Sequence, residues 1–397
     1  MDSGKIAAIL KDELTNELNT NILQYWMDNA PAENGGFIGR ILSDNTRVLN
    51  APRGSVLNAR ILWTFSAAYN QLRNPEYLVF ADIGFDYITK YFIDKKQGGV
   101  FWMLDSEGNP LDTKKQIYAL AFTIYALSEY YIATNNRDAL AHAIDLFEVI
   151  EKYSFDKNKN GYFEAYSHDW KLLTDFRLSD KDANEAKTMN THLHIMEAYT
   201  LLYKIWPDDF LKKQLTNLVS LHFNRILNKE QTHFNLFFDE AWNLKSHEIS
   251  YGHDIEGAWL MQEAAAVLGN IELIKQAEEI AVKIADATLN EGIAADGAIL
   301  NEGTKAGVTN DNRDWWPQAE AMVGFVNAWQ NTKDPKYLTA AFNCWFFTKN
   351  HIISHTGEWW WGVNAMLVPQ INEDKVGPWK CPYHNSRACI EILKRVF

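Results

Sequence analysis

The sequence predicts an all-α fold: an (α/α)6 barrel, or toroid, of paired helices with short β-hairpins in the loops at the active-site end. Three observations carry this reading. A Gly-aromatic element recurs along the 397 residues at intervals of roughly 60 to 75 residues, a longer period than the common solenoid repeats but the same kind of signal. Between successive copies lie two helical stretches of contrasting character, the first apolar nearly all round and the second amphipathic and rich in charge. The chain also begins and ends on helical stretches that pair with each other to complete the set.

The copies of the element are Gly35-Gly36-Phe37, Gly98-Gly99-Val100-Phe101-Trp102 and Gly161-Tyr162-Phe163-Glu164. Weaker forms stand at Asn235-Leu236-Phe237-Phe238, Gly297-Ala298-Ile299-Leu300 and Gly357-Glu358-Trp359-Trp360. Each reads as a short hairpin or turn. A helix ahead of the first copy is expected over about 6–27. The stretches 55–72, 115–134, 190–206, 253–269 and 315–332 have no polar face, and a helix of that kind has to be buried on all sides. They are the expected inner helices. The stretches 76–91, 137–153, 209–227, 271–289 and 336–352 carry charge on one side and are expected to surround them. Asn74-Pro75-Glu76, Asn136-Arg137-Asp138, Pro207-Asp208-Asp209 and Lys333-Asp334-Pro335 join the members of a pair. They suit helix starts, because Asn and Asp side chains accept from the free N–H groups of a first turn and Pro has none to leave free. A last helix, over about 383–396, pairs with the first and closes the ring. This alternation gathers the starts of the inner helices, and the hairpins, around one mouth, where polar residues distant in sequence converge. No Pro, Ser or Gly-rich linker interrupts the repeat, so one catalytic domain over 1–397 is expected.

Composition narrows the function classes. The formal charge is −13 with no long run of Lys and Arg, which argues against nucleic acid as a partner. Cys344, Cys381 and Cys389 are an odd number without CxxC spacing, as suits reduced thiols in packing roles and a cytoplasmic protein. Residues 1–16 mix Asp2, Lys5, Lys11, Asp12 and Glu13 with apolar ones, so no signal peptide is expected there, and no stretch reads as a membrane span. Fifteen Trp and seventeen Tyr supply flat faces of the kind that hold pyranose rings, although core packing uses the same residues. Gly-rich phosphate loops and the GxSxG elbow are both absent from the sequence, so no nucleotide cofactor and no serine nucleophile are expected.

The otherwise apolar inner helices carry polar residues near their starts: Arg60; Tyr118; Asn190 with His194; His253 with Glu256; Trp316 with Glu320; and His384 with Asn385 and Arg387. Buried charge is costly unless it is paired or employed, so a group of such residues at one mouth points to a site. Structural ion pairs and hydrogen-bonded core histidines are the alternative for each residue taken singly. His192 and His194 resemble a metal-ligand pair, but residues two apart on a helix diverge and cannot face one ion. His253 and Glu256 could offer two ligands, and no HExxH or facial-triad spacing completes a set, so no metal is expected.

Four segments carry a family resemblance: Asn190-Thr191-His192-Leu193-His194 with Glu197-Ala198-Tyr199-Thr200; Gly252-His253-Asp254-Ile255-Glu256; Asp314-Trp315-Trp316-Pro317-Gln318-Ala319-Glu320; and Gly377-Pro378-Trp379-Lys380 with Tyr383-His384-Asn385. In them the chain resembles the cellobiose 2-epimerases of the N-acylglucosamine 2-epimerase superfamily, over nearly its whole length. The resemblance implies His253 and His384 as an acid/base pair assisted by His194. It implies Arg60, Tyr118, Asn190, Glu256, Trp259 and Glu320 as sugar-binding groups, and Trp316 and Trp379 as aromatic platforms. It implies no cofactor and a small disaccharide substrate for a monomer or weak homo-oligomer. Two histidines suit inversion at C2, since an ordinary imidazole pKa of about 6.5 makes both protonation states available near neutrality. Three other readings stay open: another epimerase or an aldose–ketose isomerase of the superfamily; a glycoside hydrolase using two of Asp254, Glu256 and Glu320; and a sugar-binding toroid without chemistry.

Overall fold

In a computed structural model, described here for residues 2–179 and 182–396, the helices alternate as the repeat requires. Helix α1 (Ser3–Asn16) continues through Glu17–Leu23 and Gln24–Asn29. It is followed by α2 (Ser55–Leu72), α3 (Pro75–Tyr87), α4 (Ile117–Thr134), α5 (Arg137–Tyr153), α6 (Met189–Ile205) and α7 (Asp209–Leu221). The rest are α8 (Tyr251–Leu268), α9 (Ile271–Ala287), α10 (Trp315–Thr332), α11 (Pro335–Phe347) and α12 (Tyr383–Val396).

The even-numbered helices α2, α4, α6, α8, α10 and α12 each pack on the next, and α12 packs back on α2, so they close an inner ring. Helix α1 packs outside α12 and supplies the sixth outer position. Periodicity accounts for this placement. In α2 every residue from Ser55 to Ala68 is buried, whereas in α9 burial falls on Ala277, Ile280, Ala281, Ile284 and Ala285, one stripe of a helix. The outer helices start where the turn residues indicated: Asn74, Asn136, Asp208 and Asp334 accept from Glu76, Asp138, Phe210 and Lys336 N–H groups at 2.8–3.1 Å. One feature of the outer helices was not legible. Their last turns widen to π geometry at Ile88–Phe92, His222–Ile226, Thr288–Gly292 and Thr348–Ile352. In two of these the first side chain bonds a carbonyl one turn back, His222 to Leu218 and Thr348 to Cys344, an interaction that perturbs the helical ladder.

Two devices hold the inner helices to the hairpin end. Strands just ahead of them pair antiparallel with the hairpin of the following repeat: Arg53–Gly54 with Met103–Leu104, Lys115–Gln116 with Ala165–Tyr166, Lys187–Thr188 with Phe237–Phe238, and Arg313–Asp314 with Gly362–Val363. Each of these strands begins with a cation that reaches back to its own repeat's turn. Lys115 Nζ meets Asp94 at 2.7 Å, Lys187 Nζ meets Asp156 at 2.7 Å, Arg313 meets Asp296 at 3.0 Å, and Arg53 donates to the Gly35 carbonyl at 2.7 Å. The recurring glycines belong to those turns. Gly99 and Gly161 have φ of +74° and +87°, and the rings of Trp170 and Trp242 lie where a Cβ would project, so only Gly fits.

Candidate active site

The starts of the inner helices enclose a cavity of about 470 Å³, a volume typical of small-molecule sites. Arg60 comes from α2, Tyr118 from α4, Asn190 and His194 from α6, His253 and Glu256 from α8, Trp316 from α10, and His384 from α12. Trp379 enters from the segment before α12. These residues span more than three hundred positions, and the barrel topology alone brings them to one rim. The Trp316 ring lies 4.7 Å from the His253 ring and 5.7 Å from that of His384, so both imidazoles face the same space.

Each of the three histidines has its Nδ1 engaged, which leaves Nε2 for chemistry. His194 Nδ1 bonds Glu197 at 2.8 Å, His384 Nδ1 bonds Glu320 at 2.7 Å, and His253 Nδ1 bonds the Ser250 hydroxyl at 2.8 Å. Two rings therefore rest against carboxylates and one against a neutral group. Although His253 keeps some exposure to the cavity, desolvation lowers its pKa to about 4, against the opposing pull of Glu256. Burial also pushes His384 well below the ordinary histidine value, opposed by Glu256 and reinforced by the Arg60 and Arg387 guanidiniums. Burial would raise Glu197, but Arg387 and the hydrogen bonds from His194 and Tyr383 hold it at about 2. A permanently ionised Glu197 can balance a positive charge on the ring it touches.

Arg60 donates to the Tyr118 hydroxyl at 2.8 Å and lies against the Phe122 and Tyr383 rings at 4.1 and 4.9 Å. Its Nε and the Asn190 side-chain oxygen have no protein partner. Buried polar atoms rarely go unsatisfied, and both residues line the cavity, where a ligand hydroxyl can meet them.

Two expected sugar-binding residues stand elsewhere. Glu320 is fully buried behind the wall, held by His384, Arg387 and the Trp259 indole N–H at 3.2 Å. Trp259 lies in that same layer, under the Arg387 guanidinium at 4.9 Å. They stand behind the cavity wall instead of lining it, and their polar atoms are taken by protein partners. Asp254 is also withdrawn, pinned to the Phe234 N–H at 2.7 Å and to His233 at 2.8 Å. His192 points away from His194: it donates from Nδ1 to the Thr188 carbonyl and accepts the Tyr162 N–H on Nε2. That bonding serves a neutral ring, whose pKa burial lowers to about 3.

Glu256, Glu320 and His384 bring ligand atoms within 4.8 Å of one another, a set with the right chemistry for a cation. The cation between its carboxylates is the Arg387 guanidinium, which bonds both. Sequence reasoning missed Glu197 and Ser250, although each stands three positions from its histidine on one helical face or cap, a spacing that marks contact. It also missed the rim residues Leu178, Asp182 and Trp361, which come from irregular loops without a periodic signal.

A family model described as N-acylglucosamine 2-epimerase (GlcNAc 2-epimerase) matches residues 36–388. The chain is 48% identical over 388 residues to a cellobiose 2-epimerase of Bacteroides fragilis, covering 97% of this chain and 99% of that protein. It is 40% identical to one from Dictyoglomus turgidum, covering 98% and 99%. Its fold matches the solved cellobiose 2-epimerase of Bacillus thermoamylovorans B4167 with a TM-score of 0.93 at 39% identity, covering 98% of this chain and 100% of that one.

Proposed function

The chain belongs to the N-acylglucosamine 2-epimerase family, and from that premise we propose that it is a cellobiose 2-epimerase. It inverts C2 of the reducing-end glucose in β-1,4-linked disaccharides, turning cellobiose into glucosyl-mannose and lactose into epilactose, without a cofactor. One observation carries the mechanism: His253 and His384, from different helices, line one cavity with the Trp316 ring beside both.

A C2–H bond becomes acidic only in the open-chain aldehyde, so the ring opens first. One proton leaves the C1 hydroxyl, one reaches the ring oxygen, and the C1–O bond to that oxygen breaks. His194, with its ionised Glu197 partner, and His384 are suited to carry these protons. One of His253 and His384 then takes the C2 proton, and the electron pair moves onto the C1 oxygen to give an enediolate. Arg60, held among aromatic rings away from bulk water, faces that charge. The other imidazole returns a proton to the opposite face of C2, and the ring closes. Trp316 and Trp379 supply stacking faces; Glu256, Asn190 and Tyr118 supply hydroxyl partners.

The hydrolase reading weakens because Asp254 is withdrawn and Glu256 and Glu320 share one guanidinium. Among the described residues no helix is long and apolar enough to cross a membrane. The three cysteines are free and buried, which suits a reducing cytoplasm. Since one chain supplies all the residues named, we take residues 1–397 as one catalytic unit, active as a monomer or weak homo-oligomer. Incubation with cellobiose tests the function: a product of unchanged mass with a mannose reducing end is expected. Free glucose would make the protein a hydrolase, and accumulation of a ketose an isomerase.

A further inference from the structure

Behind the cavity wall, Arg387 binds three carboxylates from three inner helices. It reaches Glu320 of α10 at 2.6 Å, and also bonds Glu256 of α8 and Glu197 of α6. Glu197 and Glu320 are the partners of His194 and His384, so a single guanidinium joins the supports of two imidazoles. All of these side chains are buried, and in such surroundings net charge is strongly disfavoured.

The charges can be counted. Three glutamates face two guanidiniums, those of Arg387 and Arg60, which leaves one negative charge. A single imidazolium among His194, His253 and His384 neutralises it, and a second would overshoot. The other titratable groups around Arg387 leave the count unchanged. Burial pushes up the phenols of Tyr118, Tyr125 and Tyr383, which stay neutral. Further along the barrel, Lys204, Lys394 and Arg395 stand against Glu263, Glu391 and Glu129, three charges of each sign. At the rim, Asp182, Glu373 and Asp374 keep partial exposure to water, and Asp374 is paired with Arg40 at 2.7 Å.

We propose that the site stores one proton, and that Arg387 is the positioning residue that sets this number. This rests on the epimerase reading for its purpose: one imidazole must be free to take the C2 proton while another holds the proton that is returned.

Histidine-ring NMR of the 15N-labelled protein tests it, with the three resonances assigned by single His→Gln variants. Near neutral pH one of the three rings should be an imidazolium in the wild type, one in Arg387→Lys, two in Arg387→Met and none in Glu256→Gln. A wild-type count of none or two overturns the proposal, as does a count that stays at one in both Arg387→Met and Glu256→Gln. Should Arg387→Met fail to fold, the wild type and Glu256→Gln decide. Product analysis with cellobiose on the same samples keeps the two ideas apart, since an inactive wild type with one stored proton would overturn the functional reading alone.

Discussion

His192 and His194 stand two positions apart on α6, yet one is bonded to a turn and the other, at the cavity, to a carboxylate behind it. Helical geometry made their divergence legible, and the convergence of His194, His253 and His384 followed from their positions at inner-helix starts. What surrounds each ring was less legible, because a partner such as Ser250 is an ordinary residue until coordinates place its hydroxyl 2.8 Å from an imidazole. The surroundings also set the pH behaviour. To take a C2 proton His253 must be neutral, and desolvation holds its pKa at about 4. A depressed histidine pKa extends the basic form to lower pH, so kcat/KM for cellobiose should stay level from neutrality through the range of an ordinary imidazole and decline only as pH nears 4. The profile is to be taken on enzyme shown by circular dichroism to remain folded at each pH. An acid limb centred near the ordinary value of about 6.5 would remove His253 from the role of base.

At the scale of elements, inner and outer helices were readable because one period of 3.6 residues either shows a polar face or lacks one. Boundaries moved by a few residues where strand pairs intervene: 115–116 pairs with the next hairpin, and the inner helix begins at Ile117. The cation ahead of that helix had no sequence meaning until its partner across the turn was known. Lys187, on the strand leading into α6, is buried with Asp156 and also donates to the Asn160 and Glu240 carbonyls. Removing one partner of a buried pair leaves the other charge stranded, at a cost of about 3–5 kcal/mol. Lys187→Met should therefore lower the stability measured by urea unfolding by roughly that amount. A change below about 0.5 kcal/mol, the range of ordinary surface substitutions, would mean that the latch does not hold α6 to its hairpin.

For the whole molecule, the ring is what turns distant sequence into one site. Closure of α12 onto α2 brings His384 to the cavity that also holds Arg60, and no local pattern contains that juxtaposition. It was legible only because the repeat was counted through to its sixth pair. The irregular loops that complete the rim, carrying Leu178 and Asp182, lie outside any repeat and had to be seen. The central claim is that two imidazoles exchange the C2 hydrogen through a shared cavity, and isotope exchange addresses it most directly. With cellobiose in D2O, the wild-type protein should form glucosyl-mannose carrying deuterium at C2, and His253→Ala and His384→Ala should each abolish that product while keeping the wild-type circular dichroism spectrum. Product that retains protium at C2, or near-normal turnover in either variant, would contradict the account.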